Sequence, residues 1–362
     1  MKIAFYGSSL VSAYWNGAAT YYRGLLRALA QKGYDITFYE PDVYDRQKNR
    51  DIDPPAWCKV VAYEGTVEAL KRVTEEAALA DIVVKASGVG FEDDLLLKQL
   101  LTHARPDALK IFWDVDAPAT LAEVRNAQDH PLRHALTQLD MVLTYGGGDP
   151  VVDAYRSIGA RECIPIYNAL DPETHHPVAP DHRFRADLGF LGNRLPDREA
   201  RVEHFFLEPA SRLPDQTFLL GGSGWQDKVM SSNINYIGHV STRDHNAFNV
   251  TPKAVLNISR ASMAENGFSP ATRVFEAAGA GACLITDYWE GIELFLKPAE
   301  EVLVARDGQD VCDILADLSE EKADEIGQSA LRRVLEEHTY LHRAETVDAL
   351  FRRHAEKMEA AE

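Results

Sequence analysis

Four side chains in the stretch Asn257–Gly291, NISRASMAENGFSPATRVFEAAGAGACLITDYWEG, have types and spacing that suit an anionic ligand. Ser269, Thr272 and Arg273 stand where a loop with Gly267 and Pro270 runs into a helical pattern. A helix start offers unpaired backbone N–H groups and the positive end of the helix dipole, and both favour negative charge. Glu276 follows one turn later and can accept hydrogen bonds from the hydroxyls of a ribose. Phosphate contacts at a helix start, with a carboxylate one turn in, fit a nucleoside diphosphate. The plainer alternative is that Ser269 and Thr272 only cap the helix while Arg273 and Glu276 are solvated.

Asp114-Val115-Asp116 is a second constellation, at the end of an apolar run. Two carboxylates can hold Mg²⁺ or Mn²⁺. One of them can act as a general base that takes the proton of an acceptor hydroxyl. Asp116 can also simply cap the following helix, with Pro118 near its first turn. His175-His176 with His182 makes a poorer metal set, because adjacent histidines in an extended segment point apart. No cysteine or acidic residue has matching spacing, so a linker or cleft-wall role is the better expectation.

These groups need a frame. Ala254–Ile258, the loop, the short helical pattern carrying Val274, Ala277, Ala278 and Gly281 on one face, and Cys283–Thr286 read as strand, loop, helix and strand, the unit of a parallel sheet. The first half alternates in the same way. Ile3–Tyr6, Ile36–Tyr39, Ile82–Lys85, Lys110–Trp113, Met141–Thr144 and Cys163–Ile166 read as strands; Ala18–Leu29, Val67–Ala80 and Leu95–Leu101 read as helices. In the second half Leu188–Leu191, Thr217–Leu220, Tyr236–Ile237 and Glu301–Ala305 are strands. Val311–Leu318, Ala323–Glu337 and Tyr340–Met358 are helices. The predicted fold class is α/β, doubly wound and parallel. The expected domains are 1–167, a proline- and histidine-rich linker over 168–183, and 184–339, with a last helix over about 340–362.

In such sheets ligands bind at the C-terminal ends of strands. That singles out the loop Gly7–Gly17 with Thr20 just beyond it, Ser87–Gly90, and Tyr145-Gly146-Gly147-Gly148-Asp149-Pro150. In the second half it singles out Gly192-Asn193-Arg194, Gly221-Gly222-Ser223-Gly224-Trp225 and Gly238-His239. Neither Gly7–Gly17 nor Tyr145–Pro150 has G-x-G-x-x-G spacing, which leaves a nicotinamide site without its fingerprint.

The 362 residues, 46% hydrophobic and 26% charged, describe a globular chain with ample core. A formal net charge of −18 with no basic block argues against binding duplex nucleic acid. It leaves room for a small anion held by a few N–H groups and one arginine. Cys58, Cys163, Cys283 and Cys312 lie far apart without a C-x-x-C pair, as expected of reduced thiols in a cytoplasmic protein rather than a zinc site. The apolar run after Lys2 is short and broken at Gly7, so it is expected to be strand and loop rather than a leader, and no run is long enough to span a membrane.

SPATRVFEAAGAGACLITDYWEGIELF resembles the C-terminal part of the CgeB-like glycosyltransferases, a group of GT-B fold. The resemblance extends through FLGNRLPDRE, FLLGGSGW and YIGHV upstream and EEHTYLHRA downstream. It is looser at FWDVDAPATL, TYGGGDP and IYNALDPETHHP. It implies two Rossmann-like domains facing a cleft, with the final helix crossing back to the first. It implies a nucleotide-sugar donor, UDP being the leading expectation, and an acceptor hydroxyl on a saccharide, protein or small molecule. No metal or other cofactor is implied, although Asp-x-Asp is also how GT-A enzymes hold a metal. Donor contacts are then expected at Asn193, Arg194, Gly222, Ser223, Gly224, His239, Ser269, Thr272, Arg273 and Glu276. Acceptor-side contacts are expected at Gly17, Thr20, Tyr145 and Gly146, and catalysis at Asp114 or Asp116. The commoner retaining GT-B enzymes carry two glutamates eight positions apart. Here Phe268 stands eight before Glu276, and Glu265 eleven before, so only Glu276 is carried over. Inversion and retention both stay open. So do an epimerase or hydrolase of the same fold and a non-catalytic nucleotide-sugar-binding protein.

Overall fold

The structure, a computed structural model, describes residues 1–14 and 16–360. The last two positions expected in the final helix lie outside that range. The chain divides into two compact units. One is Met1–Tyr167 together with the final helix, and the other is Asn168–Thr339.

The first unit is built on seven strands: β1 (Lys2–Tyr6), β2 (Asp35–Asp42), β3 (Lys59–Glu64), β4 (Ile82–Ala86), β5 (Leu109–Asp114), β6 (Met141–Thr144) and β7 (Cys163–Pro165). They pair in the order β3-β2-β1-β4-β5-β6-β7, all parallel. Helices cover both faces, so the inner strands are buried on both sides and read as unbroken apolar runs such as Ile82-Val83-Val84. β3 is the strand that sequence reading misses. It is an edge strand with a mostly half-exposed face, KVVAYE, so it lacks that signal.

The final helix, Tyr340–Glu359, packs on helix Ala19–Gln31 of this unit. Gly24 makes the approach possible, since a Cβ there would lie 2.1 Å from the Tyr340 ring. Tyr34 donates to Asp348 Oδ1 at 2.7 Å, and Arg353 pairs with Glu162 at 2.6 Å.

The second unit has six strands: β8 (Leu188–Leu191), β9 (Phe218–Gly221), β10 (Ile234–Gly238), β11 (Ala254–Asn257), β12 (Leu284–Asp287) and β13 (Leu303–Ala305). Their order is β10-β9-β8-β11-β12-β13, again all parallel. Phe190, Phe206 and Phe218 fill its core beside Leu256 and Ile285. Each such side chain contributes about 1.5–3 kcal/mol when fully buried. A short helix, Ala261–Asn266, occupies what reads as loop in sequence; six residues are too few to establish a period. Both sheets reverse their winding once, between β1 and β4 and between β8 and β11. Loops diverge there and leave a crevice at the strand ends.

Candidate functional site

On the second unit, the turn after β8 and the loop after β9 lock together. Ser223 N donates to Asn193 Oδ1 at 2.9 Å. Arg194 N donates to Ser223 O at 2.9 Å, and Gly222 N to Gly238 O at 2.7 Å. Gly222 has φ +119°, and a Cβ on it would come within 2.2 Å of the Gly192 carbonyl oxygen, so only glycine fits. Gly224 lies against Arg194. His239, beyond β10, is exposed.

Arg194, expected at the donor phosphates, is engaged by carboxylates of its own unit. Its guanidinium bonds Glu199 at 2.7 and 2.8 Å and Asp227 at 2.8 Å. Those hydrogen bonds, Glu199 first, hold its pKa above the ordinary arginine value. A guanidinium already engaged by two carboxylates has little left for a third anion.

Arg198, one turn on, has the character expected of Arg194. Its Nη2 donates to Asn193 O at 2.6 Å, and its guanidinium lies over the Phe190 ring at 5.6 Å. Its Nε is buried without a partner among the described residues. Burial, then the neighbouring charge of Arg273, pushes its pKa down. Two guanidiniums that destabilise each other are stabilised by an anion shared between them.

Arg273 belongs to the second group, at helix Thr272–Ala280. That helix has Ala271 as its N-cap and no side-chain cap, so Ser269 and Thr272 do not close its first turn. Val274 N donates to Ala271 O at 3.0 Å, which leaves the N–H groups of Thr272 and Arg273 for a ligand. Ser269 is buried in the preceding loop, whose Pro270 carbonyl accepts from Asn168 Nδ2 at 3.0 Å. Arg273 Nη1 donates to Asn249 Oδ1 at 3.1 Å, and its Nη2 lies 3.9 Å from Glu276 Oε2.

Glu276 is only 16% exposed. Burial pushes its carboxyl up, but Arg273, then His175, His245 and the Thr272 hydroxyl, outweigh burial, and the net direction is down. It is a carboxylate at neutral pH. His245 shares this surrounding; burial first, then Arg273, holds its imidazole down to about 4. Sequence reading did not single out Arg198, His245 or Asn249. Arg198 differs from Arg194 only by four positions, and His245 and Asn249 sit on a helix of six residues, His245–Val250, too short for periodicity. Of the three linker histidines, His175 is buried near Glu276, while His176 and His182 are exposed. Glu265 is also exposed. Among the described residues no group of three or more His, Cys, Asp or Glu is arranged to hold a metal ion.

The first unit carries the acceptor-side candidates. Asp114 at the end of β5 has no exposed surface and is fully occupied. Its carboxylate accepts from Ser87 Oγ at 2.7 Å, from Thr120 Oγ1 and Asp116 N at 3.0 Å, and from the Tyr155 hydroxyl. Burial raises its pKa against those donors. Asp114, expected as a possible base, is thus enclosed by four donors in the manner of a framework residue. Asp116 is the N-cap residue of helix Ala117–Asn126, but its side chain makes no capping bond. It instead lines a cavity of about 510 Å³ at the ends of β4 and β5. Glu92, Asp93 and Glu123 line the same cavity, with Lys85 and His130. Lys85 is paired with Asp93.

Tyr145 lies against Tyr21, the chain neighbour of Thr20, ring to ring at 5.3 Å. Thr20 is half-buried in the first turn of its helix, and Gly146 is buried beside Tyr145. Gly17 is exposed, and a Cβ on it would meet open space, so close approach does not explain that glycine.

Residues 198–349 match a family model described as glycosyl transferase-like. No curated protein matches the chain in sequence. Among solved structures, sucrose-phosphate synthase from Thermosynechococcus elongatus is similar over 100% of both chains, with 15% identity and a TM-score of 0.70. HepE from Anabaena, solved with UDP and glucose, is similar over 97% of this chain and 99% of its own, with 13% identity and a TM-score of 0.65. T4 phage BGT, solved with its substrate UDP-glucose, covers 99% and 98% at 12% identity and a TM-score of 0.54. At such identities the likeness shows the fold. That fold is GT-B, and the glycosyl transferase-like match lies within residues 198–349, less than half of the chain.

Proposed function

We propose that this chain moves a sugar from a nucleoside diphosphate, UDP being the leading candidate, to an acceptor hydroxyl without a bound metal. The narrower CgeB-like kinship is part of the same reading. The observation that carries it is the set Arg198, Arg273 and Glu276 around the uncapped start of helix Thr272–Ala280, at the point where the second sheet reverses its winding. UDP and UDP-glucose in the solved relatives HepE and T4 phage BGT support a uridine donor.

In glycosyl transfer the anomeric carbon gains positive charge and the diphosphate leaves with negative charge. Arg198, Arg273 and the first-turn N–H groups supply fixed positive charge where that negative charge develops. Glu276 accepts from the ribose hydroxyls. Asp116 orients the acceptor hydroxyl, or takes its proton if the reaction inverts. The carboxylate lining around Asp116 disfavours acceptors rich in phosphate or carboxylate. The acceptor is a saccharide, protein or small molecule, and the four buried free thiols fit work in the cytoplasm.

Thermal unfolding with UDP, GDP, dTDP, CDP or NAD, each with and without EDTA, tests the donor half. One nucleoside diphosphate at about 100 times its dissociation constant should stabilise the protein by about 2.7 kcal/mol. The shift should survive EDTA and shrink in Glu276→Ala. A shift that vanishes with EDTA would overturn metal independence, and silence with every nucleoside diphosphate would overturn the donor site. Release of free sugar without any acceptor would make the protein a hydrolase.

A further inference from the structure

An amide and a carboxylate flank the Arg273 guanidinium, and the weaker hydrogen-bonding group holds it. Asn249 Oδ1, a neutral amide oxygen, accepts from its Nη1 at 3.1 Å. The carboxylate of Glu276 stays 3.9 Å from its Nη2, outside hydrogen-bond range. Left alone, a guanidinium and a carboxylate on the same helix face close into a charge-assisted pair. Asn249 opposes that closure. It is 1% exposed, on the helix His245–Val250 that packs against helix Thr272–Ala280. Its orientation is dictated by chemistry, because a guanidinium only donates and the amide oxygen must face it. The same orientation strands Nδ2, which is buried with no acceptor among the described residues. A buried N–H without an acceptor is unfavourable, and an oxygen of a bound ligand would relieve it.

We infer that Asn249 is a positioning residue of the donor site: its amide keeps Arg273 off Glu276, so that the guanidinium meets the diphosphate and the carboxylate meets the ribose. This rests on the donor-site reading above. Without the amide, Arg273 falls onto Glu276 and each neutralises the other. The loss should therefore depend on Glu276 being present.

A double-mutant cycle reads that dependence. Calorimetry with UDP, GDP, dTDP and CDP on the full chain identifies the tightest nucleotide and its dissociation constant. The same measurement follows for N249A, E276A and the double variant. N249A should weaken binding by about tenfold or more, the scale of a hydrogen bond to a charged group. In the E276A background the same change should weaken it by less than about threefold. An equal penalty in both backgrounds, or none in the wild-type background, overturns the proposal. N249D keeps the side-chain volume and guards against a fold lost in N249A. Its carboxylate would neutralise Arg273 and weaken binding further than N249A, and wild-type affinity in N249D also overturns the proposal. If the wild-type chain binds none of the four nucleotides, the donor-site reading itself fails and takes this inference with it. A wild-type chain that binds normally while the cycle proves additive removes the inference alone.

Discussion

The two sheets end in rims of opposite character. Around β4 and β5 the cavity wall is carboxylate, with Lys85 already paired to Asp93. Around β8 and β11 it is guanidinium, with Arg198 and Arg273 close enough to lower the pKa of Arg198. Yet each rim is anchored by one fully buried aspartate at a strand end. Asp114 is held by Ser87, Thr120 and Tyr155, and Asp287 by Arg201 at 2.6 Å and Ser259 N at 2.9 Å. In both rims a strand-end carboxylate saturated with donors serves the frame, and the proposed chemistry falls to a neighbour.

That contrast can be broken in steps. Asp116→Asn should lower kcat by about 10²–10⁴, the worth of a general base, with the dissociation constant of the donor nucleotide unchanged. Equal activity would move catalysis off this rim. Arg273→Ala should lower kcat/KM by about 10²–10³ and weaken nucleotide binding, which is the reverse signature. Asp114→Asn and Asp287→Asn should act on stability. Each should lower the free energy of unfolding by about 2–4 kcal/mol in denaturant titrations, because a buried group loses its complement of donors. A stable, inactive D114N protein would restore Asp114 to the chemistry.

Glu276→Gln tests the second rim through pH. The folded carboxyl lies below its ordinary value, so its contribution to stability is present above the unfolded pKa of about 4.3. It is lost as pH falls through the folded pKa. The stability gap between wild type and E276Q should therefore narrow as pH falls below about 4.3. Arg194→Ala should do least: less than about twofold in donor affinity and little change in stability, as for surface ion pairs.

Much of the frame is legible in the sequence, because buried parallel strands are continuous apolar runs and the turns between them carry glycine. The place of Arg273 and Glu276 on a short helix after a loop is legible too, by local rules. What is not legible depends on partners distant along the chain. Asp114 and Asp116 look interchangeable until Ser87, 27 positions back, and Tyr155, 41 positions on, are seen to occupy the first. Arg194 and Arg198 are equivalent on paper; Asp227, 33 positions beyond Arg194, decides between them. Asn249 has no sequence signal at all, because its role is a geometric one between two helices.

The second unit also begins and ends at one place. Leu170 N donates to His338 O at 2.7 Å, and Leu170 forms an isolated bridge with Thr339. Its two termini are thus stitched side by side, and 168–339 is a cassette inserted into its host through a single seam. Such a piece can be cut out as one uninterrupted polypeptide without fraying a strand, or grafted between other hosts.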